Sequence, residues 1–410
     1  MSSCSSQKIS QALEEAKARY ISRNAKSKTL HEEATKSFPG GNTRTVLHTD
    51  PFPISMKSGK GYQLTSEDRH VYTDLTAEFT AALYGHSNPL IIDAVKNVLN
   101  NVGLNVGATT PQEQLFAREL CQRFDLERVR FTNSGTEANL HALAAARLFT
   151  KKRKVVVFNR GYHGGVLGFK GGMPAPNNVD PDDWIIVKYN DLDAAVKAIQ
   201  SEGVAAVLME EFLTGIQDTA AKAGVVFILD EVMTSRISAS GLAGQRGIKP
   251  DLKTFGKYLG GGLAFGGLGG RADIMAAFDP RLATSIPHSG LTKIYTPDVA
   301  DQFFKTGELF ITKLQETVEG TRLSFSGLGS ILSSRFIDGD VEVKDVISAD
   351  DFTENEALKD LFWFEMLEQG FWVTRRGLIA LILETPQSEL DRFVDAVQAF
   401  VSKYRDVLVF

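Results

Sequence analysis

Between residues 129 and 229 the chain alternates two kinds of segment. Short apolar or β-branched runs, Val129–Phe131, Val155–Phe158, Trp184–Val187, Val204–Met209 and Val225–Leu229, are separated by helix-length stretches. Runs of this kind suit strands buried on both faces, and helix-length crossovers let successive strands run parallel. The pattern constrains the chain to an α/β architecture: a large domain with a mostly parallel sheet flanked by helices. The flanking regions read differently. Residues 1–37 are polar, with Ile9, Leu13, Ala16 and Tyr20 at helical spacing, and predict an amphipathic arm that breaks at Phe38-Pro39-Gly40-Gly41. Residues 54–75 predict short strands. After Thr296-Pro297-Asp298, with Thr296 as N-cap and Pro297 at the first helical position, a long helix opens a smaller α+β domain. The expected boundaries are an arm and entry segment over 1–50, a large domain over 51–296 and a small domain over 297–410.

Composition narrows the function classes. The 410 residues carry 45 Lys+Arg against 50 Asp+Glu, a net charge of −5 without runs of one sign. That balance predicts neither nucleic acid nor an anionic membrane as the main partner. The two cysteines, Cys4 and Cys121, predict no disulfide framework, and the N-terminus lacks a signal-peptide core. No apolar stretch is long enough to span a bilayer. The expectation is a cytoplasmic protein. The seven histidines are scattered and none sits at metal-ligand spacing, so no metal is expected.

Four segments carry chemistry. Ser134-Gly135-Thr136 follows a strand and opens a helix, where free N–H groups and the helix dipole favour a phosphate; an ordinary helix cap would use the same residues. Gly161-Tyr162-His163-Gly164-Gly165 holds an aromatic ring among glycines at a strand end, where it can stack on a planar ring or simply form a turn. The strand through Leu229 delivers Asp230 at its C-terminal end, where open α/β sheets bind ligands. A carboxylate there can keep a heteroaromatic nitrogen protonated, or it can cap the next helix. Lys257, in Thr254-Phe255-Gly256-Lys257-Tyr258-Leu259-Gly260-Gly261-Gly262, is an amine in glycine-rich chain that can approach a cofactor closely and attack an aldehyde when desolvated. It fits no phosphate-loop pattern, because Tyr258 follows it and Asp251 stands where the first glycine belongs. Phosphate cup, aromatic, strand-end Asp and then Lys 27 residues later occur in one chain.

In that order, SGTEAN, GYHGG, LDEVMTSR and FGKYLGGG resemble the class III, fold-type I aminotransferases that use pyridoxal 5′-phosphate, in the branch of glutamate-1-semialdehyde aminomutase. The likeness runs from PGGNTR at 39–44, through YGHSNP at 84–89, to RRG at 375–377. The resemblance implies that Ser134, Gly135 and Thr136 hold the phosphate, Tyr162 stacks on the ring and Val232 packs on its other face. It implies that Asp230 binds the ring nitrogen and Lys257 is the Schiff-base lysine and proton shuttle. It also implies a homodimer, an amino donor and a keto acid acceptor. The segment Phe38–Arg44 resembles the entry segment of β-amino-acid aminotransferases, in which an arginine takes the substrate carboxylate. Arg44 is then the donor's partner, and Arg375 or Arg376 can pair with an acceptor carboxylate; surface salt bridges are the plainer use of these arginines.

The chain departs from the family twice. Glu210-Glu211 stands where a Glu-Pro pair is usual and runs straight into Phe212-Leu213-Thr214. Pro287-His288-Ser289-Gly290 passes directly to Leu291-Thr292-Lys293, without the segment that reaches the neighbouring subunit's phosphate in relatives. Both read as deletions. The competing expectations are an aminomutase of the same chemistry and, because of these apparent deletions, a catalytically impaired chain that keeps the fold.

Overall fold

The computed structural model describes residues 3–104, 108–210, 215–279, 296–338 and 353–409. Both departures noted above, at 211–214 and 287–293, lie outside the described residues. The chain divides into two units, Leu90–Gln302 and Met1–Pro89 with Phe303–Phe410.

The first unit is built on seven strands: β1 (Arg128–Thr132), β2 (Lys154–Phe158), β3 (Trp184–Val187), β4 (Val204–Met209), β5 (Val226–Asp230), β6 (Leu252–Gly256) and β7 (Gly266–Gly270). Their order is β1-β7-β6-β5-β4-β2-β3. The pairs β6–β5, β5–β4, β4–β2 and β2–β3 are parallel, while β7 is antiparallel to both neighbours. The period of two along each strand divides the core. Val155, Val157, Ala206, Leu208, Val226, Ile228 and Leu252 face the helix Gly135–Thr150, which meets them with Ala142, Ala145 and Ala146. Val156, Phe158, Val207, Phe227 and Leu229 face the helices Leu192–Ile199 and Ile216–Ala223. The small alanine face lets the first helix lie close to the sheet, and Asp230 continues the Val226–Ile228 face toward it.

Strand β7 reads Gly266-Gly267-Leu268-Gly269-Gly270 and is wholly buried. A methyl on Gly266 would stand 2.1 Å from Ser134 O and one on Gly269 2.6 Å from Arg128 O. Glycine is required here by close backbone approach, the reason glycine occurs inside strands.

In the second unit the N-terminal helix Ser3–Arg23 buries Ile9, Ala16 and Tyr20. Arg19 ties it to the helix Glu356–Glu368 through Glu365 (2.9 Å) and Glu368 (2.6 Å). Strands Met56–Lys60, Gln63–Ser66 and Val71–Asp74 form an antiparallel sheet that Phe371–Trp372 joins in parallel. Residues 51–89 thus group with the C-terminal part, whereas the expected boundaries put them in the large domain. The helix expected after Thr296 spans Pro297–Thr317, and the last long helix spans Gln387–Lys403. Among the described residues no helix is long and apolar enough to cross a membrane.

Candidate active site

The site forms where the C-terminal ends of β5 and β6 meet the start of the helix Gly135–Thr150. Asp230 ends β5 and pairs in register with Thr254 of β6, on the sheet face that the helix covers. Asp230 is buried and surrounded by donors. Its Oδ2 accepts from Asn139 Nδ2 (2.8 Å) and from His163 Nδ1 (2.8 Å), and its Oδ1 from Val232 N (3.0 Å). Asn139 also donates to His163 O (2.9 Å) and accepts from Thr254 Oγ1 (2.7 Å). Every polar atom of the Asn139 amide is thus used, as burial demands. Burial disfavours a charge on His163. Its hydrogen bond to Asp230 and the fields of Glu210 and Asp230 outweigh that, so the imidazolium persists above the ordinary histidine range. His163, Glu210 and Asp230 bring three ligand-type atoms within 4.8 Å, although the sequence has no metal spacing. The His163 nitrogen in that group is engaged with Asp230.

The other segments close around this carboxylate. Ser134 caps the helix by accepting from Glu137 N (3.2 Å), which leaves the N–H groups of Gly135 and Thr136 at positions no helical carbonyl reaches. Methyls added to Gly135 would lie 2.8 and 2.9 Å from the two Val232 methyl carbons, and one on Gly256 would lie 3.3 Å from Val232 Cγ1 and 3.4 Å from Gly135 N. A methyl on Gly164 would sit 2.3 Å from Thr136 Oγ1. The three glycines therefore let four separate segments touch. Tyr162, beside His163, is 50% exposed and bridges to Gly168. Lys257 follows the extended Gly256 and adopts φ +57° at the start of a tight turn, half-buried. A left-handed lysine is a strained residue held by its surroundings, and such strain clusters at functional sites.

Behind the site Glu231 is fully buried and accepts from Leu242 N (3.1 Å) and Ala243 N (2.9 Å), capping the helix Gly241–Arg246. Burial pushes its pKa up to about 7, despite the nearby buried Lys253.

The expected arginines lie in the second unit. Arg44 is exposed and pairs with Glu78 (2.8 Å). Arg375 is gripped by Asp360, at 2.6 Å from both Nε and Nη2, donates to Asp50 O (2.6 Å) and lies over the Trp363 ring. Arg376 is exposed, with its guanidinium 5.6 Å from the Phe79 ring centre. Glu78 and Phe79 belong to a turn, Ala77–Thr80, in which all four residues have positive φ (46–79°). Left-handed backbone costs roughly 1–2 kcal/mol per non-glycine residue. Asp74 holds the turn by accepting from Thr76 N (2.7 Å) and Ala77 N (3.0 Å), and Ala77 packs with Ala380 and Ile382.

His163, Asn139 and Thr254 were not assigned partners by sequence reasoning. All three lie inside segments it singled out, and their polar character at buried strand and helix positions was the available signal.

The donor set fits pyridoxal phosphate: unsatisfied first-turn N–H groups for a phosphate, a buried carboxylate for a ring nitrogen, an aromatic ring and a valine, and a lysine. With this sheet order it defines the class, a pyridoxal-phosphate enzyme of fold type I. The chain belongs to the aminotransferase class-III family, whose pattern matches residues 46–170 and 190–385. An uncharacterized aminotransferase of Schizosaccharomyces pombe is 43% identical, over 96% of each chain. The β-phenylalanine transaminase of Variovorax paradoxus is 39% identical over 98% of each. A solved structure of the β-phenylalanine aminotransferase from that organism superposes with a TM-score of 0.90, covering 98% of this chain and 99% of its own. A glutamate-1-semialdehyde 2,1-aminomutase of Pelotomaculum thermopropionicum is 30% identical over 91% of this chain and 96% of its own. The alignment with the transaminase runs over 432 positions, more than the 410 residues here, so that relative has residues this chain lacks. The protein is a pyridoxal-phosphate-dependent aminotransferase, which moves an amino group from an amino donor to a keto acid.

Proposed function

We propose that the amino donor is a carboxylate-bearing β-amino acid and that Lys257 and Asp230 carry the chemistry. The observation that carries the assignment of Asp230 is its burial among Asn139, His163 and Val232 donors, on the sheet face reached by the helix start. Bound pyridoxal phosphate supplies an aldehyde for the amine and an electron sink for the carbon that loses its proton. Gly135 and Thr136 would hold its phosphate with backbone N–H groups, with Ser134 beside them. Tyr162 and Val232 would flank its ring. Asp230 would face its ring nitrogen, fixed by His163 and Asn139. Lys257 would bind it and then, as a free amine, take and return the donor's proton.

Support for the donor class comes from the full-length similarity to the β-phenylalanine transaminase and from Arg44 and Arg376, both exposed and both held at one turn. Arg375, spent on Asp360, is better suited to holding the chain than to binding a keto acid, so we assign the acceptor carboxylate to Arg376. The similarity to aminomutases supports a second reading, transfer within one substrate, which dependence on an external keto acid excludes. A cytoplasmic homodimer completes the proposal. The helix Pro89–Asn101 buries none of its residues yet exposes Leu90, Ile92, Val98 and Leu99, as a subunit interface would.

Borohydride treatment of protein supplied with pyridoxal phosphate, followed by peptide mass mapping, tests the lysine. A covalent adduct on Lys257, absent from Lys257→Ala, and turnover of a β-amino acid that Arg44→Ala loses are expected. No adduct in folded protein would favour the catalytically impaired reading and tie it to the residues this chain lacks. Retained turnover in Arg44→Ala would overturn the donor assignment.

A further inference from the structure

The turn Ala77–Thr80 brings the two exposed arginines under one short element. Glu78 meets Arg44 at 2.8 Å and Phe79 lies under Arg376. The positive φ at residues 77–80 is held from both ends. Asp74 binds the N–H groups of Thr76 and Ala77 and meets His86 Nε2 at 2.6 Å, while Ala82 N donates to Ala77 O (2.8 Å). Ala77 and Thr80 are completely buried, whereas Glu78 is exposed. A right-handed turn with the same ends would direct residues 78 and 79 differently, so the strained backbone sets where this carboxylate and this ring stand. Among the described residues Glu78 is the ion partner of Arg44.

We propose that Glu78 is a specificity residue: it occupies the Arg44 guanidinium as an internal carboxylate until the donor's carboxylate displaces it, while Phe79 keeps Arg376 in place. The proposal rests on the reading of Arg44 as the donor's carboxylate partner. An arginine neutralised by its own carboxylate tolerates a donor without one, and it weakens a donor that has one by the worth of the pair that must be broken. That pair is solvent-exposed, which bounds the effect to about two- to fivefold in affinity.

The test uses the holoenzyme with two donors of one skeleton, a β-aryl-β-amino acid and the corresponding arylalkylamine, and calorimetric binding of non-reactive 3-phenylpropanoate. For Glu78→Gln, KM for the amino acid and Kd for 3-phenylpropanoate should fall about two- to fivefold, with kcat and the amine's KM unchanged. Glu78→Asp should return them toward the wild-type values. Arg44→Ala should weaken the amino acid and 3-phenylpropanoate, and Glu78→Gln should add nothing to it. If Arg44→Ala weakens both carboxylates but Glu78→Gln changes nothing, or shifts both donors equally, the role of Glu78 is overturned and the donor reading stands. If Arg44→Ala leaves both carboxylates unaffected, the donor reading fails and the role of Glu78 falls with it.

Discussion

Asp230→Asn keeps the side chain's volume and changes its hydrogen-bond count. The carboxylate accepts on both oxygens, from Asn139 and His163 on one and from the Val232 N–H on the other. An amide has one oxygen, so one side must set N–H against N–H. If the oxygen keeps the backbone N–H, the new Nδ2 faces Asn139 and His163. Asn139 cannot reverse without breaking its bonds to His163 O and Thr254. That conflict costs about 1–3 kcal/mol, the penalty of an unsatisfied buried donor. His163 can yield by losing its proton and accepting from the new amide. In the wild type, burial opposes its charge but the Asp230 hydrogen bond and the Glu210 and Asp230 fields prevail. The substitution removes Asp230 from that balance and leaves burial against Glu210 alone. Removing one partner of a buried pair costs about 3–5 kcal/mol, and proton loss relieves part of it. The two penalties overlap, and with that relief we take about 3 kcal/mol, the low end of the pair's range, as the expected loss under acidic conditions.

The pH dependence of that loss is the discriminating part. A histidine whose folded pKa lies above its unfolded value near 6.5 stabilises fully below the unfolded value. The contribution disappears as pH rises through the folded value. The gap between wild type and Asp230→Asn should therefore be widest below about pH 6.5 and narrow on the alkaline side. At about 2–4 °C per kcal/mol for a unit of this size, the acid gap is about 6–12 °C in Tm. Thermal unfolding of the cofactor-free proteins from acid to alkaline pH measures it. Turnover by the variant should fall about 100- to 1000-fold, the usual cost of one preorganised electrostatic group. A Tm gap that stays constant, or widens as pH rises, would refute the protonated His163–Asp230 pair.

Three further outcomes follow from the geometry. Gly135→Ala presses a methyl to 2.8 Å from Val232, so pyridoxal phosphate should bind about 5- to 150-fold more weakly for an overpacking cost of about 1–3 kcal/mol, and Val232→Ala in the same chain should restore most of it. Because the Glu231 carboxyl has its pKa pushed up to about 7 from 4.5, wild-type stability from this group falls as pH rises across that interval. Glu231→Gln, which cannot ionise, should be the less stable variant at pH 5 and lose that disadvantage by pH 8 in denaturant titrations. Arg375→Ala should lower Tm by several degrees and leave substrate KM values unchanged, because its guanidinium binds Asp360 and Asp50 O; Arg376→Ala should raise the keto acid's KM and leave Tm unchanged.

The sheet was legible where its strands are conventional. Val155–Phe158 and Val204–Met209 are wholly apolar and buried on both faces, and hydrophobic pattern finds such strands. Gly266–Gly270 was not legible, because a strand with four glycines carries no β-branched or alternating signal. Gly266 and Gly269 make room for the backbone of Ser134 and Arg128, which lie far away in sequence. The boundary near residue 50 separated the strands between 56 and 74 from the C-terminal part for a related reason: the parallel partner of Val71–Asp74 is Phe371–Trp372, and pairing across some three hundred residues leaves no local trace.

Three of the four chemical segments could be read because each concentrates small residues and one reactive group in a short window, and the fourth because an apolar strand ends on Asp230. How they meet could not. Asn139 looks like any helix residue until its amide spans Asp230, His163 O and Thr254, and His163 looks like part of a glycine turn until its ring meets the same carboxylate. The turn at Ala77–Thr80 is the extreme case. Its sequence, Ala-Glu-Phe-Thr, contains no glycine, asparagine or proline, so every local preference points to right-handed backbone. The left-handed form exists because Asp74, Ala380 and Ile382 impose it, and what it places, Glu78 and Phe79, are the groups on which the exposed arginines rest. Where tertiary contacts override local preference this strongly, selection for something other than stability is the economical explanation. For this turn, the candidate is control over what the arginines bind.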